Sequence, residues 1–248
     1  MDDFQLLMKL HIEDERQGPG GLAETRRAIE FAGLTTSHSL KIADIGCGTG
    51  ASTLVLAQEL DAKVTAIDLF SEFLEVLNTK AQKAGLKNIL TKAISMDSLP
   101  FAQEELDVIW SEGAIYNIGF KNGVNLWKPY LKQGGVLAVS EITWLTNHRP
   151  KDIDDYWSAA YPEIATASEK IRILEESGFK LLGYFPLPIS CWSENYYAPL
   201  QSRFSSFLEQ QGNSKEALQL IEMEKNEIEL YEKFKDYYSY GFYIAAKI

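Results

Sequence analysis

The sequence predicts a doubly wound α/β fold, in which a mostly parallel sheet carries helices on both faces. Three observations carry that prediction. From residue 40 onward, short apolar runs alternate with amphipathic stretches. The first run passes into the first stretch through a loop almost devoid of side chains, Asp44-Ile45-Gly46-Cys47-Gly48-Thr49-Gly50. The second run ends on an acidic residue, Asp68. Continuous apolar strands separated by helical segments are the signature of βαβ units, whose strands are buried on both faces.

The elements follow in order. Residues 40–45 read as a strand, 51–60 as a helix with small residues at its start, and 63–68 (KVTAID) as a second buried strand. Further segments alternate at about 71–84, 88–94, 106–111, 121–130, 135–142, 168–177 and 179–187. Two late segments, Lys180 to Leu187 and Gly241 to Ile248, are both strand-like. Between them a helical pattern runs from Lys215 to Phe234. Residues 1–36 precede this core as an N-terminal helical extension, with helices near Leu6 to Ile12 and Leu22 to Ala32 flanking Gln17-Gly18-Pro19-Gly20-Gly21. Residues 37–248 form the main domain, and an insertion at about 190–238 is placed to project over the carboxyl edge of the sheet as a helical cap. With 248 residues and 46% apolar content, the chain can bury one substantial core.

The glycine loop and Asp68 together point to nucleoside recognition. Glycine lets a ligand lie against the main chain, and free N–H groups at the following helix N-terminus would face it. An acidic side chain at the end of the second strand falls where a ribose presents its hydroxyls. Gly46-x-Gly48-x-x-Ala51 also fits the dinucleotide fingerprint, so a nicotinamide-dependent oxidoreductase is an alternative. A non-catalytic nucleoside-binding module is another.

The pattern D-x-G-x-G-x-G from Asp44 to Gly50 resembles the first motif of the class I S-adenosylmethionine-dependent methyltransferases of small-molecule type. The resemblance extends to Asp68, which matches the family's ribose-binding acid. It also covers Ser95-Met96-Asp97 with Leu99-Pro100-Phe101, similar to its adenine-contacting segment. Leu106 to Trp110 is similar to its fourth strand, and Leu131 to Ser140 to its Gly-Gly turn into the fifth. The resemblance implies a seven-stranded, Rossmann-like sheet with an antiparallel last strand, and S-adenosylmethionine as cofactor. It implies Asp44, Gly46, Cys47, Gly48, Gly50, Asp68, Leu69, Met96, Asp97 and Glu112 as cofactor-binding residues. In related bacterial methyltransferases a similar Q-G-P-G-G segment folds toward the cofactor, which makes residues 17–21 a candidate lid.

Methyl transfer from a sulfonium is an in-line displacement, so the protein mainly supplies alignment and exclusion of water. A general base is needed only if the attacking atom arrives protonated. Glu112 and Tyr116, after the fourth strand, and Glu141, at the end of the fifth, are the catalytic candidates by position. Tyr116, Trp144, Trp157, Tyr161, Trp192, Tyr196 and Tyr197 are candidates for an aromatic acceptor pocket suited to a small organic molecule, an amine or a phenolic or heteroaromatic ring among them. Trp157 and Tyr161, four apart, also fit the inner face of a helix.

Composition narrows the classes. A formal net charge of −11 with no clustering of basic residues argues against a nucleic-acid partner. No apolar run reaches the roughly 18 residues of a membrane span, and the acidic start does not read as a signal peptide, so a cytoplasmic location is expected. His11, His38 and His148 show no ligand pairing, and Cys47 and Cys191 form neither a metal set nor a disulfide framework, so no metal is expected. Monomer and homodimer both suit this surface.

Overall fold

The computed structural model describes residues 3–36, 40–60 and 62–248. Helices α1 (Asp3–His11) and α2 (Leu22–Phe31) precede strand β1 (Leu40–Ile45), helix α3 (Ala51–Glu59), β2 (Ala62–Asp68), α4 (Ser71–Lys83), β3 (Ile89–Ala93) and β4 (Leu106–Glu112). Helix α5 (Phe120–Trp127) leads into β5 (Leu131–Trp144), α6 (Lys151–Ala160), the two-residue β6 (Ala165–Thr166), α7 (Ala167–Glu176) and β7 (Phe179–Pro186). Helices α8 (Ile189–Trp192), α9 (Ala198–Gln210) and α10 (Lys215–Phe234) then return the chain to β8 (Tyr238–Lys247).

Among the described residues the sheet runs β3-β2-β1-β4-β5-β8-β7, with β6 beside β5. β8 is antiparallel to both β5 and β7, and the remaining pairs are parallel. The doubly wound sheet with an antiparallel last strand is therefore present. Strand parity sorts the core into two layers. Ile42, Val64, Val108, Trp110 and Ala138 pack against α1–α3 and α8–α10, whereas Ala43, Ile45, Ile67, Ile109 and Val139 pack against α5 and α7. Both faces of the strands are covered, which is why they read as unbroken apolar runs.

Several boundaries differ from the sequence expectation. β5 begins at Leu131 rather than 135 and continues to Trp144, because β8 pairs with it residue by residue from Val136 to Trp144. The segment expected as helix 121–130 is α-helical only to Trp127; Pro129 lies in a tighter three-residue turn that leads straight into β5. β8 starts at Tyr238 rather than Gly241, and α10 spans the expected residues, capped by the Ser214 hydroxyl accepting from the Ala217 N–H. A Thr166–Glu169 capping box starts α7.

The insertion is tied to the N-terminal extension by a buried charge cluster. His11 lies between Asp14 and Glu224, at 3.6 and 3.8 Å, and Arg203 of α9 reaches Asp14 at 2.8 Å. Burial disfavours the charged imidazole, but hydrogen bonds to Asp14 and Glu224 outweigh it and raise the His11 pKa to about 9. A folded-state pKa above the unfolded value contributes stability that is complete below about pH 6.5 and is lost as pH rises through about 9. Stability should therefore fall by about 3 kcal/mol between neutrality and pH 10. Urea titrations across that range should show this slope in the wild type and a flatter one in His11→Gln. An equal slope in both would remove His11 as the cause.

Candidate active site

A cavity of about 470 Å³ opens where the carboxyl ends of β1, β2 and β4 meet. This is the point at which strand order reverses, the usual ligand crevice of an open α/β sheet. Gly46, Cys47 and Gly48 form one wall, Asp68 and Leu69 a second, Met96 and Asp97 a third, and Glu112 and Tyr116 a fourth. Arg16, Gln17, Gly18 and Pro19 of the N-terminal extension close the remaining side.

Asp44 and Gly50 are not among the residues lining the cavity. Asp44 is buried beneath the loop, where one carboxylate oxygen accepts from the Ser52 and Thr53 hydroxyls at 2.8 and 2.6 Å. Burial, opposed by those two bonds, pushes its pKa up to about 7. Gly50 starts α3 at φ +90°, and a Cβ there would collide with Leu77 of α4. Both residues shape the loop from behind.

The N–H groups of the loop itself are already engaged. Gly46 and Cys47 donate to the Ile67 carbonyl, Gly48 to Asp68, Thr49 to Gln17 and Gly50 to the Cys47 carbonyl. The loop is folded tightly enough to satisfy its own donors, so it offers a ligand close approach rather than an open row of N–H groups. At Gly46, with φ +72°, a Cβ would collide with the Ala114 side chain. Gly46→Ala should lower stability by about 2 kcal/mol and weaken ligand binding in the cleft. Gly18, whose added Cβ would meet nothing within 4 Å, is the neutral control. Thermal denaturation of the two variants checks the contrast.

Asp68 closes β2. Its Oδ2 accepts from Gly48 N–H at 2.8 Å and its Oδ1 from Phe70 N–H at 3.0 Å. Burial raises its pKa against the pull of these bonds. Two N–H donors leave the carboxylate with lone pairs free for two ligand hydroxyls.

Glu112 lines the cleft but is already engaged. Its Oε1 accepts from the Thr25 hydroxyl at 2.8 Å and from the Trp110 indole at 2.9 Å, and its Oε2 pairs with Arg16 at 2.6 Å. Gln17 ties the same segment to the loop, its Oε1 accepting from Thr49 N–H at 2.8 Å. Sequence reasoning missed Arg16 as a wall residue, because its partner lies 96 positions away, whereas Gln17 belongs to the segment expected as a lid.

Glu141 does not reach the cleft. β5 carries it into the interior, where it is fully buried and its Oε1 lies 3.2 Å from the Lys170 ammonium. Burial raises the Glu141 pKa and lowers that of Lys170, and each is opposed by the other's charge. Of the seven aromatic candidates, Tyr116 alone lines this cavity. Trp144, Trp192 and Tyr197 are core residues, Trp157 packs edge-on to Tyr238 at 5.3 Å, and Tyr161 lies 6.2 Å from Tyr116. His148 is an exposed loop residue, and His38 lies outside the described residues.

Comparison with known proteins agrees with this geometry. A family model described as "Methyltransferase domain" matches residues 42–135. An O-methyltransferase, cnsE, of Penicillium expansum is 24% identical over 154 residues, covering 60% of this chain and 55% of that protein. The chain thus spans about half the length of that relative. Trans-aconitate 2-methyltransferase of Escherichia coli is 26% identical over 216 residues, covering 82% of this chain and 75% of that protein. The fold matches a crystal structure of a SAM-dependent methyltransferase from Geobacter sulfurreducens in complex with S-adenosyl-L-homocysteine. The TM-score is 0.85 at 15% identity, over 99% of this chain and 98% of that one. Motif, cleft, sheet order and sequence similarity converge on a methyltransferase domain at residues 42–135, set in the fold of the S-adenosylmethionine-dependent methyltransferases.

Proposed function

We propose that this chain transfers a methyl group from S-adenosylmethionine to a small-molecule acceptor. The observation that carries this reading is the meeting of the Gly46–Gly48 loop, Asp68 and the Met96–Asp97 segment around one cavity of about 470 Å³. The residues fit the cofactor. Asp68 has acceptor capacity for two ribose hydroxyls, and Met96 and Asp97 stand where an adenine would lie. Asp68, Asp97 and Glu112 against the single Arg16 leave the walls with an acidic surplus that suits a cationic sulfonium.

The cofactor supplies an electrophilic methyl group on a positively charged sulfur. The chain's own residues bind, orient and exclude water. Carboxylates hold the charged ground state more strongly than the transition state, in which that charge fades, so they serve affinity rather than rate. Rate comes from alignment of the acceptor behind the methyl carbon. Glu112, whose carboxylate already takes three donors, acts as a positioning residue that holds residues 16–25 over the cleft. Residues 16–19 act as the lid, and Tyr116 faces the acceptor.

The same reading takes a cytoplasmic protein, monomer or homodimer, with no nucleic-acid partner. Among the described residues no helix is long and apolar enough to cross a membrane. Isothermal titration with S-adenosylmethionine, S-adenosylhomocysteine and NAD tests the proposal. Tight binding of the two sulfur nucleosides without NAD is expected, and NAD binding alone would replace the reading with the oxidoreductase alternative. A non-catalytic module would bind the nucleosides yet turn over no acceptor in a methyl-transfer screen.

A further inference from the structure

Residues 12–21, between α1 and α2, form neither helix nor strand, so no backbone ladder of their own fixes where they lie. Their place over the cleft depends on ties to other parts of the fold. At the cleft itself, Arg16 pairs with Glu112 at 2.6 Å. Gln17 brackets Thr49 of the glycine loop, accepting from its N–H at 2.8 Å and donating to its hydroxyl oxygen at 3.2 Å. Both Arg16 and Gln17 line the cavity.

Further ties come from the insertion between β7 and β8. Arg203 of α9 is ion-paired with Asp14 at 2.8 Å, the two side chains being 17% and 5% exposed, and its Nε lies 3.6 Å from Glu13. Asn195, in the segment between α8 and α9, donates to the Gly20 carbonyl at 2.8 Å. Asp14 is held from two sides. Its carboxylate takes Arg203 and, at 3.6 Å, His11, while its main-chain carbonyl accepts from the Thr49 hydroxyl at 3.1 Å and from the Gln17 amide at 3.2 Å. A shift of Asp14 on loss of Arg203 therefore moves the acceptor that Thr49 and Gln17 share. Among the described residues α9 contributes none to the cavity wall, yet a continuous line of polar contacts runs from it to the glycine loop.

Resting on the methyltransferase reading, we propose that Arg203 is a positioning residue for the cofactor. Acting through Asp14, it holds residues 14–17 against the glycine loop and so couples the α8–α10 insertion to occupancy of the cleft. The effect works through populations. With the ion pair made, the strap of residues 12–21 is closed, and a ligand in the cleft meets Arg16 and Gln17 already in place. With the pair broken, the strap opens more often, and apparent affinity falls by the fraction of molecules that remain closed. His11 still holds Asp14 in that case, so the strap is loosened rather than released. A guanidinium suits the role because it stays charged throughout the working pH range and, partly buried, is little screened by salt.

The test follows S-adenosylhomocysteine dissociation by stopped flow, and amide hydrogen exchange over residues 12–21 by mass spectrometry, in the full chain. Arg203→Gln should exchange faster over this strap and release S-adenosylhomocysteine about tenfold faster, with affinity weakened to match. Arg203→Lys, which keeps the charge, should recover most of both. Asn195→Ala, which cuts the other tie without removing a charge, should shift both readouts in the same direction, and it decides the matter alone if Arg203→Gln does not fold. Val136→Ala truncates a buried residue near the start of β5, at the opposite edge of the sheet from the cleft. It should lower the melting point while leaving strap exchange and ligand release at wild-type values, which separates positioning from general destabilisation. Wild-type release and exchange in Arg203→Gln or, failing that, in Asn195→Ala, an equal change in Val136→Ala, or no recovery in Arg203→Lys overturns the positioning role. Absence of S-adenosylhomocysteine binding in the wild type overturns the cofactor reading, and this proposal with it.

Discussion

Replacing Asp68 by alanine should weaken S-adenosylhomocysteine binding by about 100- to 1000-fold. Two hydrogen bonds from ribose hydroxyls to an ionised carboxylate contribute about 1.5–3 kcal/mol each, and 1.4 kcal/mol corresponds to a factor of ten. The substitution also strips Gly48 and Phe70 of the acceptor for their N–H groups, so the glycine loop loses its anchor to β2. Asp68→Asn separates the two effects. It retains one carbonyl oxygen for a loop N–H but no charge, and should fall between wild type and alanine in affinity while melting close to the wild type. Calorimetric titration and thermal denaturation of the three proteins read this directly. Wild-type affinity in Asp68→Ala would remove the ribose-binding role.

The largest effect on stability is expected from Lys170→Met. The Lys170 ammonium and the Glu141 carboxylate form an ion pair in which both side chains are almost wholly removed from solvent, at 1% and 0% exposure. Removing one partner leaves the other as an uncompensated buried charge, which costs about 3–5 kcal/mol. For a chain of this length that lowers the midpoint of thermal unfolding by about 10 °C. Glu141 bears the consequence through its proton. Burial already raises its pKa, and loss of the opposing ammonium raises it further. A carboxyl whose folded pKa lies above its unfolded value is stabilising only when protonated, so the deficit of Lys170→Met should shrink as the pH is lowered. The double variant Lys170→Met/Glu141→Leu should recover most of the loss, since an apolar pair satisfies the same volume without desolvated charge. A midpoint within 2 °C of wild type in the single variant would show that this pair is not the buried electrostatic anchor of α7 on β5.

Which parts of this molecule were legible in the chain follows a physical line. The glycine loop was legible because left-handed backbone at Gly46 and Gly50, each pressed by a neighbouring side chain, tolerates no other residue without strain. The end of β2 at Asp68 was legible because a buried parallel strand is apolar until it reaches the ligand edge. The length of β5 was not. Nothing in Leu131 to Gly135 is strongly strand-forming, and the strand's far end is specified by its pairing with β8 a hundred residues away. Glu112 and Glu141 looked equivalent as acidic residues near the ends of adjacent strands. They register one after the other across β4 and β5, with Glu112 opposite Ser140, so that their side chains leave opposite faces of the sheet. One arrives in the cleft and the other in the core.

The sequence by itself determined the α/β class and the crevice at the ends of β1 and β2, because local backbone demands and strand burial are written in consecutive residues. Tertiary structure alone decided that Arg16 joins the wall of the cleft and pairs with Glu112, that the loop donors are internally satisfied, and that Glu141 is paired with Lys170. Each of these rests on contacts between residues distant in the chain, and no local pattern specifies which side chains will share one low-dielectric space.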